Sequence, residues 1–556
     1  MFSAFIASPI IAAMYPSRPL ISSISLIISL VLFIPVVALL YQAFFSFDAN
    51  DHTFANIVDS VLWEYIYNSL AVVFATLFFA CGFAIAPAWW CARYEFKGRR
   101  FLQWAMVFPL AIPAYISAYI YTTTLDYAGP IQSALRSWFN WQSPADYWFF
   151  DIRSLGGASF MLALALYPYI YLLLRYGFAK QSDHLDHAAR LLGANSREVF
   201  FKIRLAMARP ALAVGCTLVA MESLADFGTV HLFAINTLTT AIYDSWLVYS
   251  SLSTAAKLSC LLLVFIVGLA VLEKHQRRAQ KQFESRGQQP LQRHPASTKK
   301  ALAIWAVCGS ILLLGFVIPV LYLLDFVFTY LDENWHSQLW QHSLHTFALA
   351  AGAALICLCI ALLLNAQLRF HDIRRNQMQL SLASLGYAIP GTVLAIAILI
   401  PLGALDLGLH ELMTWANMQS LGLLFSGTSI ALLLAFVIRF MAIANGSVHS
   451  GYQQISPNLD LAASSLGESR NGILKRIHFP LIRPMALGGL LLVFIECVKE
   501  LPAALLLRPF DFETLSTYVY QHARDDQLEH AALASLMIIV VSLLPIALLS
   551  RTQRMS

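Results

Sequence analysis

Twelve runs of apolar residues constrain this chain more than anything else in it. They lie at about 20–45, 66–92, 101–124, 155–179, 210–236 and 251–272, then at 302–328, 342–369, 379–402, 424–445, 484–507 and 530–550. Crossing a bilayer as a helix takes roughly 20 apolar residues. In hydrocarbon only helices and closed barrels satisfy their own backbone, and runs of this length spell helices. The composition agrees: of 556 residues, 59% are hydrophobic and 12% charged, against about 25% charged in a soluble domain. The expected fold is all-α integral membrane, with about 12 transmembrane helices.

The net charge of +5 matters less than where the charges fall. Arg93, Lys97, Arg99 and Arg100 follow the second run. Seven Lys and Arg residues from Arg175 to Arg209 surround the fourth loop. Eight more lie from Lys274 to Lys300, and Arg369, Arg374 and Arg375 follow the eighth run. If every run crosses once, these loops share one side, which is then cytoplasmic. Both termini fall there too. The stretch from Ser46 to Tyr65 has Asp48, Asp51, Asp59 and Glu64 and no Lys or Arg. Leu125 to Arg153 carries Trp138, Trp141 and Trp148, as expected at an outer interface. The first run is of spanning length and reads as a retained helix, not a signal peptide. Eight Cys residues sit in or beside apolar runs and read as small buried apolar residues rather than disulfides.

One polar stretch occurs twice. Leu185-Asp186-His187-Ala188-Ala189-Arg190-Leu191-Leu192-Gly193 leads through Ile203 to Arg209-Pro210. Leu459-Asp460-Leu461-Ala462-Ala463-Ser464-Ser465-Leu466-Gly467 leads through Ile477 to Arg483-Pro484. Each residue of the second copy follows its partner by 274 positions, as Gly193 to Gly467 shows. Asn68-Ser69-Leu70 and His342-Ser343-Leu344 keep that spacing, and Ala111-Ile112-Pro113 recurs at Ala388-Ile389-Pro390. The chain therefore divides into homologous halves, 1–272 and 301–556, joined by a polar linker at 273–300. With six runs each in one orientation, they are parallel repeats. Small residues at Ala188, Ala189, Ala462 and Ala463 suit a short helix that docks closely. Gly193 and Gly467 let the backbone turn where a side chain would clash. Pro210 and Pro484 suit the first turn of the next helix.

The fifth run of each half carries two carboxylates. Glu222 and Asp226 recur at Glu496 and Glu500. The i, i+4 spacing puts each pair on one face of a continuous helix. Ionisable groups inside a membrane face a cavity, a partner or a pathway. Across a twofold axis the two pairs would face each other, and such oxygen donors suit a hard, highly charged cation. The competing structural reading is pairing with a nearby base, Lys499 above all, or capping at helix ends marked by Gly228 and Pro502. His231, His522 and His530 are weaker ligand candidates. Pro109, Pro113, Pro390 and Pro502 read as helix kinks, and Arg439 and Arg508 as anchors at helix ends. There is no phosphate-binding loop, so the chain is not expected to hydrolyse ATP itself, and no catalytic constellation stands out.

The doubled Ala-Ala-x-x-x-Gly stretch resembles the coupling loop of permease subunits of binding-protein-dependent ABC importers. The usual Glu is His187 in one copy and Leu461 in the other. The Pro that ends the motif is present as Pro480 but is Ala206 in the first copy. The segment Glu222-Ser-Leu-Ala-Asp-Phe-Gly-Thr-Val-His231, followed by Thr239-Thr240-Ala-Ile-Tyr243, resembles the ferric-iron branch, in which two halves are fused in one chain. That likeness implies a type I ABC importer permease fold, with coupling loops at 184–210 and 456–484. It implies a cytoplasmic ATPase homodimer docked at Asp186, Ala188, Ala189 and Gly193 and at Asp460, Ala462, Ala463 and Gly467. It also implies a periplasmic binding protein, an inner-membrane location and a ferric-ion cargo passing Glu222, Asp226, Glu496 and Glu500, with Glu222 and Glu496 as ligands. No permanent cofactor and no nucleic acid are implied; ATP binds the partner. Thiamine and other organic solutes are carried by permeases of the same architecture. An ion-gradient carrier would have no use for paired coupling loops.

Overall fold

The computed structural model describes residues 19–45, 51–181, 184–281, 293–370, 378–380, 382–419 and 422–552. Asp48, the linker centre at 282–292, Arg374 and Arg375 fall outside that set. Among the described residues the chain is mostly helical, and its strands are one two-residue parallel pair, Tyr94–Glu95 with His294–Pro295. Among the described residues eleven helices are long and apolar enough to cross a membrane, and twelve if one bent pair counts as a single span.

In order the spans are Pro19–Phe45, Leu62–Arg93, the bent third, Leu155–Ala179, Ser196–Ala225 and Leu252–Lys281. Then come Thr298–Thr329, Ser337–Phe370, Gly391–Trp415, Ser429–Gln453, Arg470–Lys499 and Leu528–Pro545. The third span turns by 86° between Arg99–Ala111 and Ala114–Phe139. Pro109 and Pro113 sit at that turn, where the missing amide donors stop the helical ladder.

The fifth and eleventh spans begin earlier than their prolines suggest. Asn195 caps the first, accepting from the Glu198 amide at 2.9 Å while the Glu198 carboxylate accepts from the Asn195 amide at 3.1 Å. Ser469 caps the second through the Gly472 amide at 3.2 Å. Each helix then passes through a wide π-type turn, Val199–Arg204 and Leu474–His478. Pro210 and Pro484 thus lie inside continuous helices and not at first turns.

Compactness and homology divide the chain differently. One compact unit comprises 1–54, 242–260 and 337–518; the other comprises 55–241, 261–336 and 519–556. Within the first unit the opening span packs on the ninth, and Ser29 Oγ donates to the Gln379 carbonyl at 3.3 Å. Within the second, the seventh span packs on the second and third, and Tyr121 Oη donates to the Leu314 carbonyl at 2.6 Å. Each unit therefore draws spans from both repeats. Its core is made of small and aromatic side chains: Ala80, Ala84, Ala88, Tyr167 and Tyr171 are all fully buried in the second unit.

Candidate functional site

Each coupling loop is a short helix with a positive-φ glycine after it: His184–Leu191 before Gly193 at φ +88°, and Pro457–Ser465 before Gly467 at φ +79°. Nothing stands within 4 Å of where a Cβ would be at either glycine. The glycines are thus needed for left-handed backbone, not to avoid a clash. Just ahead of them, Leu191 and Leu192 are each 89% exposed and Leu466 is 87% exposed. Ala188 and Ala462 share that open side. Ala189 is half-buried and Ala463 buried, packed with Phe370 and Ile473 of its own unit. These two small residues seat the coupling helix on the permease itself.

Asp186 and Asp460, read from sequence as coupling residues, turn inward. Asp186 Oδ1 accepts from Arg204 Nε at 2.5 Å and Oδ2 from Arg93 Nη2 at 3.4 Å. Asp460 Oδ2 accepts from Arg369 Nε at 2.7 Å, and its Oδ1 lies 2.7 Å from His478 Nε2. The carboxylates keep only 6% and 0% of their side-chain exposure. Burial alone would raise the Asp460 carboxyl, but the hydrogen bonds from His478 and Arg369 outweigh it and hold the group below its ordinary range. Aromatic rings close both sites. Arg93 and Arg204 each lie 5.8 Å from the centre of the Trp89 ring, and Phe370 and Tyr452 flank His478. From sequence, Arg93, Arg204 and Arg369 read only as loop charge, and His478 is not singled out. The usable signal was that Arg204 and His478 are both basic and 274 apart.

The carboxylates of the fifth and eleventh spans occupy the ends of their helices. The fifth helix stops at Ala225 and the eleventh at Lys499, with Asp226 and Glu500 in extended backbone. The i, i+4 face expected for the pairs therefore does not form. Glu222 lies in the last turn, about 39 Å from the Ser196 start. Asp226 accepts from the Thr229 amide at 3.0 Å, the Thr229 hydroxyl at 3.2 Å and the Val230 amide at 3.1 Å, capping the helix Gly228–Leu232. Glu500 accepts from the Ala503 amide at 3.2 Å at the start of Pro502–Leu507 and pairs with Arg439 Nε at 3.0 Å. Arg439 also donates to the Ile389 carbonyl at 3.0 Å, so it is a buried tie and not a snorkelling anchor. Glu496 pairs with Lys499 at 3.0 Å.

The breaks repeat in detail. Thr239 and Ser516 hydroxyls donate to the Asp226 and Glu500 carbonyls, each at 2.8 Å. Ser69 and Thr346 hydroxyls accept from the Leu238 and Leu515 amides at 2.9 and 2.8 Å. Ser69 therefore corresponds to Thr346, 277 positions on, and not to Ser343; the second spans are offset by three residues from the sequence match. His231 Nδ1 lies 2.8 Å from Tyr520 Oη, and His530 Nδ1 2.7 Å from Glu333. No group of three or more His, Cys, Asp or Glu side chains among the described residues is placed to hold a metal ion.

Two six-span repeats, each with a loop helix and a broken fifth helix, define an all-α membrane permease. The chain belongs to the family of binding-protein-dependent transport system inner membrane components, which it matches twice, over residues 79–281 and 358–555. It is 26% identical over 481 residues to the Fe(3+)-transport system permease protein FbpB 2 of Haemophilus influenzae, covering 84% of this chain and 86% of that one. It is 23% identical to the ferric transport system permease protein FbpB of Actinobacillus pleuropneumoniae, over 83% and 67% of the two chains. The molybdenum transport system permease protein ModB of Escherichia coli matches at 28%, over 38% of this chain and 90% of its own. That match, 216 residues, is shorter than either half of this chain.

Proposed function

We propose that this chain is the membrane-spanning permease of an ATP-driven importer of ferric iron. A periplasmic binding protein delivers the ion, a cytoplasmic ATPase homodimer docks on the two coupling loops, and nucleotide-driven closure gives alternating access. The observation that carries the cargo is the run of ferric permeases among its relatives, matched over more than four-fifths of this chain. The relatives named for molybdenum and sulfate cover a third or so of it. Docking is supported by the exposed Leu191, Leu192 and Leu466, which stand beside the fixed glycine turns and offer apolar area to a partner. The loops and both termini are then cytoplasmic, as the distribution of Lys and Arg requires. Glu222 and Glu496 are the ionisable groups proposed to meet the ion. The chain supplies no ATP hydrolysis; the partner does.

The test is ATP hydrolysis by the reconstituted complex in liposomes. With an iron-loaded binding protein, hydrolysis and Fe3+ entry should rise together. Stimulation by thiamine or an oxyanion in its place, with none by iron, would reassign the cargo and leave the machine intact.

A further inference from the structure

Each coupling helix is tied to its own permease by a buried carboxylate. Asp186 grips Arg93, the last residue of the second span, and Arg204, in the π-turn that opens the fifth. Asp460 grips Arg369, one residue from the end of the eighth span, and His478, the last residue of the π-turn that opens the eleventh. In both halves one side chain thus joins three elements: its own helix, the π-turn 18 residues on and a span end 93 or 91 residues back. Around it Ala463 packs on Phe370 and Ile473 in the second half, while the outer faces of both helices stay open. The first coupling helix exposes Ala188, Arg190 and Leu191, and the second exposes Ala462 and Ser465. In the second, Arg369 reaches past the carboxylate to the Ile455 carbonyl at 3.1 Å, holding the backbone just ahead of the helix.

A helix pushed from its exposed face moves its neighbours only through stiff contacts. A buried, hydrogen-bonded ion pair is stiff, and losing one partner strands a charge at high cost. Apolar contacts beside it can slide. We infer that Asp186 with Arg93, and Asp460 with Arg369, are the positioning residues that carry movement of the coupling helices into the second and eighth spans. They act from behind the docking surface and do not touch the ATPase. The inference rests on the ATPase reading above.

The experiment uses the full chain reconstituted with its ATPase and binding protein, and the variants Asp186→Ala, Asp460→Ala and the double substitution. Capture of the ATPase by the purified permease should be unchanged. ATP hydrolysed per ion imported should rise at least tenfold in the double variant. A residue with a purely structural role would lower yield and capture without moving that ratio. The conservative variants Arg93→Lys and Arg369→Lys keep the charge and should restore most of the coupling lost in Arg93→Gln and Arg369→Gln. A second measurement does not depend on turnover. Spin labels at exposed Arg190 and Lys97 should hold one separation with and without nucleotide in the parent chain, and change separation on nucleotide binding once Asp186 is Ala. An unaltered ATP-to-ion ratio, or labels that stay locked in Asp186→Ala, overturns the inference and leaves the importer standing. A parent chain that captures no ATPase overturns the importer reading and this inference with it.

Discussion

Glu500 shows why the carboxylates in the broken spans have to be judged one at a time. It is 6% exposed, faces Arg439, and accepts from the Ala503 amide at the start of the helix Pro502–Leu507. Gly391 makes room for it: a Cβ there would come within 2.4 Å of Glu500 Oε1. Removing one partner from such a pair strands a charge and costs about 3–5 kcal/mol, whereas removing both is often nearly neutral. Arg439→Met should therefore lower the melting temperature of the purified protein sharply, and Arg439→Met with Glu500→Gln should recover most of the loss. Equal losses in the single and the double variant would show that the pair carries no such penalty. Glu496 is the more open case. Its Lys499 partner is a neighbour on the same helix, and the pair is less buried. Glu222→Gln and Glu496→Gln should each cut Fe3+ uptake while leaving yield unchanged. Recovery of uptake in Glu496→Gln with Lys499→Met would identify Glu496 as a partner of the lysine rather than of the ion. From sequence, the four carboxylates and Lys499 were visible, and Gly228 and Pro502 marked the breaks. Arg439 was not, because its partner is 61 positions away and nothing local distinguishes it from an end-of-helix anchor.

The coupling helix is the element in which charge and geometry combine. Because the folded Asp460 carboxyl lies below its ordinary value, the stability it contributes is complete above about pH 4 and drains away as pH falls through the lowered value. Protection of the amides over 457–467, corrected for the intrinsic pH dependence of exchange, should accordingly stay flat from neutral pH down to about 5 and fall only in more acid solution. In Asp460→Asn the acid-dependent fall should vanish. The element was legible where it was periodic or repeated. The two loops, their glycines and the twelve spans could be read from spacing alone. The ends could not. Pro210 and Pro484 suggested first turns, but membrane helices tolerate internal proline because neighbours and local π geometry re-satisfy the backbone. The Asn195-x-x-Glu198 capping box was the available signal for the true start.

At the scale of the whole molecule, the repeat was readable but the compact units were not, since alternating 274 and 277 offsets say which segments are equivalent and nothing about which of them pack together. Orientation has a direct check: a reporter joined at Ser297 should score cytoplasmic and one at Asp59 periplasmic, and the reverse would invert the assignment of the loops. The interleaved units make a stronger claim. In lipid an apolar helix face has no large incentive to find another, so a single repeat cut from the chain can still insert. What it loses is close packing and the hydrogen bonds that cross between repeats inside a unit. The N-terminal repeat alone would leave Tyr121 without the Leu314 carbonyl and Ser29 without the Gln379 carbonyl. It would also lose the seventh span from its second and third, and the ninth from its first. A buried polar group left unpaired costs about 1–3 kcal/mol, so the two losses named here remove a large part of the roughly 5–15 kcal/mol that holds an ordinary fold. We therefore expect that a chain opened within 282–292 and made as two pieces together yields a copurifying pair that transports as the intact chain does. Either piece made alone should reach the membrane but be cut by protease far faster than the pair. A lone N-terminal repeat that resists protease and melts as the full chain does would show that the repeats, and not the interleaved units, are the bodies that fold.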